Sequence, residues 1–152
     1  MVIYVNSGSL FDAEVDALVN PVNCVGTMGK GLAKEFATLY PECIEPYQRA
    51  CDEKALKPGS LMLVKLIIRA SFDVPSHPAI LLFATKDHWR GKSKLEWIES
   101  GFINLKEQYQ PWNLQSVAMP KVGCGLGGLE WVEVKSLLET HFQKSTLRLL
   151  VY

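Results

Sequence analysis

"VDALVNPVNCVGTMGKGLA" (15–33) decides how the chain is read. Its first part, 16–21, is β-rich and ends at Pro21, a residue that cannot donate to a strand ladder. Three glycines and a lysine follow, then the helical-looking "KEFATLY" (34–40). Strand, glycine loop and helix in that order form the unit of an open α/β sheet, where loops at the carboxyl ends of strands hold ligands. The loop invites comparison with the phosphate-binding pattern G-x-x-x-x-G-K-[ST] and fails it twice. Cys24 stands where the first glycine belongs, and Gly31 stands where a Ser or Thr would hold Mg²⁺.

Working outward, the same unit appears again. "VGCGLGG" (122–128) follows the strand-like "SVAMP" (116–120) and precedes the helix-like "LEWVEVKSLLETHF" (129–142). One glycine-rich loop is usually a turn. Two, each between a strand and a helix, suit a diphosphate gripped from both sides, because glycine lets backbone N–H groups approach an anion closely. Lys30 lies near a helix start, where the dipole disfavours a cation unless an anion is bound.

The remaining elements fit the same architecture. Strands are expected at 2–5, 79–85 and 147–152, a turn into a strand at 56–67, and a second helix at 41–55. Ser93 and Glu96 have the spacing of a capping box for a helix through Tyr109. The segment 69–78 reads as a loop. Alternating strands and helices predict an α/β three-layer sandwich, α/β/α, around a central mixed sheet.

Bulk properties bound the function. The 152 residues suit one domain, 1–152, and the ending on a strand fits a domain of a longer protein. Lys plus Arg and Asp plus Glu both number 16, so any nucleic-acid contact must come from a local patch. No apolar run is long enough to span a membrane, and the start lacks signal-peptide features. Cys24, Cys43, Cys51 and Cys124 form no C-x-x-C pair and the three histidines are scattered. The expectation is a cytoplasmic protein with reduced thiols, no metal and no membrane partner.

With both loops in view, "VDALVNPVNCVGTMGKGLA" and "MPKVGCGLGGLEW" resemble the macrodomains, which bind ADP-ribose. "TKDHWRGKSKLEWIESG" (85–101) resembles the DarG-type DNA ADP-ribosyl glycohydrolase antitoxins, which are similar to the human terminal ADP-ribose protein glycohydrolase. The resemblance implies a macrodomain-like sandwich, ADP-ribose as ligand, no cofactor, and a diphosphate held without Mg²⁺. For the ligand it implies Gly26, Met28, Gly29, Lys30, Gly31, Leu32 and Ala33 in the first loop. Val122, Gly123, Cys124, Gly125, Leu126 and Gly127 belong to the second. Asn23 matches the family asparagine at the distal ribose, and Tyr152 the aromatic near adenine. Ser9 and Leu10 stand where the family has an adenine-binding aspartate and its neighbour; Asp12 is an alternative acceptor.

Lys86 matches the family's catalytic lysine, acting with Asn23 at C1″ of the distal ribose. Only a neutral amine attacks carbon, and an ordinary lysine, with pKa about 10.4, is well under 1% neutral at pH 7. Partial burial at a strand end would raise that fraction. The human relative carries an aspartate where this chain has Gly127, whereas the DNA-directed pattern has glycine. The proton donor is left open among Asp87, His88 and Glu130.

"KDHWRGKSK" (86–94) sets four cations against Asp87, beside the reactive lysine. Arg90 and Lys92 suit a phosphodiester strand, and His88 and Trp89 offer rings to an unpaired base, unless Trp89 packs into the core. The leading expectation is an enzyme that removes ADP-ribose from thymine bases of single-stranded DNA, the antidote to a DarT-like toxin. The alternatives are a hydrolase for ADP-ribosylated glutamate or aspartate in proteins, an O-acyl-ADP-ribose deacylase, and a non-catalytic reader of ADP-ribose.

Overall fold

The computed structural model describes residues 1–66 and 79–152. Six strands form one sheet: β1 (Val2–Tyr4), β2 (Ala17–Val22), β3 (Leu61–Lys65), β4 (Ala79–Ala84), β5 (Ser116–Met119) and β6 (Arg148–Val151). Their order is β1-β6-β5-β2-β4-β3. All neighbours are parallel except β3 and β4, which pair antiparallel at one edge. The expected mixed sheet and three layers are therefore present.

The run Ala79–Ala84 shows why the sheet sits in the middle. All six residues are buried, yet their side chains alternate between two separate cores. Ala79, Leu81 and Phe83 enter the core shared with α3 (Leu95–Gln108) and α4 (Trp131–Phe142). Ile80, Leu82 and Ala84 enter the core shared with α1 (Gly31–Leu39) and α2 (Ile44–Asp52). A strand covered on both faces must be apolar throughout, and this one is. Gly101 of α3 allows a close approach to the sheet: a Cβ there would lie 2.0 Å from the Phe83 ring.

Local expectations differ from the structure in three places. Pro21 does not end β2, which continues to Val22. Pairing of β2 with β5 lasts only through Leu18, so at Pro21 no ladder on that side needs its missing N–H. The segment after Tyr40 is not one helix: a 3-10 turn over Pro41–Cys43 precedes α2. Ser93 does not cap α3 either. Lys94 is the N-cap, and the Ser93 hydroxyl is buried without a hydrogen-bond partner. Ser93 instead joins the helix start to the second glycine loop, its N–H donating to Gly127 O at 3.0 Å. The loop expected at 69–78 lies outside the described residues. Among the described residues no helix is long and apolar enough to cross a membrane.

Candidate active site

The first glycine loop leaves β2 at Asn23. The Asn23 carboxamide oxygen accepts from Val25 N at 3.0 Å, and its Nδ2 donates to Thr27 O at 2.8 Å, closing a tight turn. Gly26 takes φ +84° within that turn. Lys30 is the N-cap of α1 and makes no side-chain cap. The first intrahelical bond is Lys34 N to Lys30 O at 3.4 Å, so the N–H groups of Gly31, Leu32 and Ala33 have no helical partner. All three residues line a cleft, and such a helix start favours an anion.

The second loop follows β5 and is braced by its own backbone. Cys124 N donates to Lys121 O, Gly128 N to Gly125 O, and Leu129 N to Gly123 O, at 3.1, 3.1 and 2.9 Å. Gly123 and Gly128 have φ of +76° and +79°, which favours glycine there. At Gly127 a Cβ would lie 2.4 Å from both Gly123 O and Ser93 Oγ. Position 127 therefore admits no side chain without moving the loop, and an aspartate there is incompatible with this backbone. Gly125 differs, because nothing lies within 4 Å of a Cβ placed on it.

Between the loops lies a cavity of about 970 Å³. Leu126 crosses toward the first loop, its Cδ1 3.7 Å from where a Cβ on Gly31 would sit. Among the described residues Lys30, Lys86, Arg90, Lys92 and Lys121 line the cavity, and no Asp or Glu does. Lys86 leaves the end of β4 just after Thr85, whose N–H is held by Val22 O at 2.9 Å. Burial holds the Lys86 amine below the usual lysine range, and the charge of Lys92 lowers it further. The thiols are tuned the other way: burial raises Cys124 above its ordinary value and pushes Cys24 up to about 12. Both are thus held in the protonated, poorly nucleophilic form, and of the two Cys124 lines the cavity.

Most expected residues meet here. Asn23, Gly29, Lys30, Gly31, Leu32, Ala33, Lys86, Trp89, Arg90, Lys92 and 122–127 line the cavity. Ser9, Leu10, Gly26, Met28, His88 and Tyr152 lie outside its lining. Ser9 caps a 3-10 turn over Leu10–Asp12, its hydroxyl accepting from Phe11 N at 3.2 Å. Leu10 is buried in the core on the α1–α2 side, against which Met28 and Tyr152 also pack. Trp89 is 42% exposed and so is not a core residue. His88 stacks on it with ring centroids 5.3 Å apart, and the Arg90 guanidinium carbon lies 4.6 Å from its centroid. Asp87, His88 and Glu130 are exposed and outside the lining. Thr85 and Lys121 are lining residues that sequence reasoning missed. Their positions, one before Lys86 and one before Val122, were the only signal.

Two glycine loops at the carboxyl ends of parallel strands, enclosing a cationic cavity, coincide with a family match. The macro domain model matches residues 19–138. The chain belongs to the macrodomain family. This macrodomain is 42% identical over 144 residues to a DNA ADP-ribosyl glycohydrolase of Mycobacterium tuberculosis, covering 95% of the chain and 39% of that relative. The chain thus spans about two fifths of the length of that curated relative. Its fold superposes on the macrodomain of Thermus aquaticus DarG with TM-score 0.88 and 34% identity, covering 100% of this chain and 97% of that one. It also matches Thermosipho africanus DarTG in complex with ADP-ribose, with TM-score 0.86 and 36% identity over 95% of this chain and 39% of that one.

Proposed function

We propose that this macrodomain releases ADP-ribose from modified single-stranded DNA, at thymine bases, and so reverses the action of a DarT-like toxin in the cytoplasm. The observation that carries the reading is the cavity that the described residues line with five cations and no carboxylate, with Lys86 at its β4 end. The two loops would take the diphosphate through backbone N–H groups, and Asn23 would meet the distal ribose. The relatives support this through their names, DNA ADP-ribosyl glycohydrolase and a fusion of DNA ADP-ribosyl transferase with DNA ADP-ribosyl glycohydrolase. In the proposed reaction the neutral Lys86 amine adds at C1″. The bond from C1″ to the base breaks, a proton passes to the base, and a glycosylamine joins C1″ to Lys86. The ring bond from C1″ to O4″ then breaks, the amine proton passes to O4″, and an open-ring Schiff base remains on Lys86. Water then hydrolyses it, releasing ADP-ribose and restoring the amine.

The test presents ADP-ribosylated single-stranded DNA and ADP-ribosylated protein side by side. ADP-ribose should leave the DNA, and borohydride should trap a covalent adduct on Lys86. Lys86→Ala should abolish release while ADP-ribose binding persists. Lys86→Arg should fail as well, because a guanidinium stays protonated. Release from DNA should slow as salt rises, since Arg90 and Lys92 face a strand whose counterions they displace. Release from protein alone would reassign the carrier. Binding without release from either would make the domain a reader.

A further inference from the structure

We infer that Tyr47 is a positioning residue for this site: its phenol holds the Asn23 carboxamide in the one orientation that leaves an N–H free for the ligand. The inference rests on reading the cavity as the ADP-ribose site. Tyr47 belongs to α2, is fully buried, and does not line the cavity. It reaches the site from behind the first loop. Its hydroxyl lies 2.8 Å from Asn23 O and 2.7 Å from Asn23 Oδ1. Both are acceptors, so the phenol is the donor and its single proton serves the pair.

The rest of the network fixes the carboxamide. Oδ1 faces the N–H groups of Val25 and Thr27, at 3.0 and 3.4 Å, which only an oxygen can accept. Nδ2 faces Thr27 O at 2.8 Å, which only an N–H can serve. Oδ1 is thereby saturated by the protein, and one of the two Nδ2 hydrogens is spent. A single N–H remains. Asn23 can donate to a ribose oxygen but has no acceptor left to offer. Losing the phenol would remove the shortest of the three bonds to Oδ1 and loosen the turn that carries Thr27, another lining residue. Side chains of α2 lie directly behind this turn, with Gln48 Cγ and Cys51 Cβ 3.7 and 3.8 Å from where a Cβ on Gly26 would sit. Burial also raises the Tyr47 hydroxyl above its ordinary value, which keeps it a donor.

A mutant cycle over Tyr47→Phe and Asn23→Ala tests this, since phenylalanine keeps the ring and its packing. Calorimetry with ADP-ribose should show Tyr47→Phe binding about three- to tenfold more weakly than the parent, the range of one hydrogen bond. In the Asn23→Ala background the same change should cost less than about twofold. Equal losses in both backgrounds would mean that the phenol acts on packing rather than through Asn23. The ligand-free protein gives a second readout. The Asn23 side-chain amide should show two protons of clearly different NMR shift, one bonded and one free, and Tyr47→Phe should move them. An unmoved amide pair in Tyr47→Phe would overturn the inference. A parent that binds no ADP-ribose would overturn the reading of the cavity, while the amide signals would still decide the role of Tyr47.

Discussion

The two glycine loops face the same cavity, yet they are built differently. The first is held from outside itself: Asn23 bridges the turn and Tyr47 of α2 plugs it from behind. The second is held from inside, by backbone hydrogen bonds and by Gly127, which has no room for a side chain. A loop shaped by side-chain hydrogen bonds loosens when one donor is removed. A loop shaped by steric exclusion resists that but fails when bulk is added at its closed position. The two kinds of damage can therefore be separated by mutation.

The largest effect is expected at Gly127. Gly127→Val forces a side chain against Gly123 O and Ser93 Oγ, where a Cβ alone would lie 2.4 Å away. Overpacking of this kind costs about 1–3 kcal/mol. Thermal melting should fall, and ADP-ribose binding should weaken by about a hundredfold or more. An unchanged melting temperature would break the claim that this loop is sterically defined.

Gly125→Val sharpens the comparison from the same loop. Its φ is outside the left-handed region and nothing lies within 4 Å of its Cβ position. Binding should weaken by about tenfold, with stability held within about 0.5 kcal/mol, as for a surface change. Calorimetry paired with denaturant melts checks both halves. A variant that binds as well as the parent would show that the ligand does not pass over Gly125.

Between the loops, Lys92→Gln tests the effect of the Lys92 charge on Lys86. The rate of ADP-ribose release should rise with pH as Lys86 loses its proton, at a pH below that of an ordinary lysine. Removing Lys92 takes away one of the two causes of that depression. The rising limb should move to higher pH, and the rate at neutral pH should drop. Lys30, Arg90 and Lys121 also line the cavity and keep part of the positive field. Linkage has the matching sign. A lysine held low binds fewer protons folded than unfolded, so it disfavours the fold at neutral pH. That penalty disappears as pH rises through the unfolded value. A pH–rate profile identical to the parent's would remove Lys92 from the tuning.

The smallest effect is expected outside the cavity lining. Ser9→Asp keeps an acceptor for Phe11 N, since aspartate caps as well as serine. It also adds the charge that the family aspartate directs at the adenine amino group. Binding should tighten by about 1 kcal/mol. Equal or weaker affinity by titration would place adenine against another acceptor, with Asp12 the nearest in sequence.

Much of this site was readable because its signals are local. A strand, a glycine run and a helix start are contiguous in the chain, so both loops and Lys86 could be located by pattern. Misreadings arose where a residue's partner is distant. Ser93 has the spacing of a cap, but its N–H goes to Gly127 and its hydroxyl packs against the second loop. Tyr47 reads only as one apolar position on a helix. Its bond to Asn23 spans 24 residues and leaves no periodic trace. Lys121 is a lone cation after a proline, and its place in the cavity depends on how β5 ends beside β2.

By itself, then, the sequence determined the fold class, the two glycine loops that line the cavity and the candidate lysine, because hydrophobic period and glycine runs act over a few residues. The tertiary structure decided the rest. It brought five cations onto one cavity in a chain whose charges balance overall. It exposed Trp89, denied any side chain to position 127, and set a buried phenol behind Asn23. Each of these depends on packing between elements far apart in the chain, and burial, steric exclusion and charge coupling exist only once those elements meet.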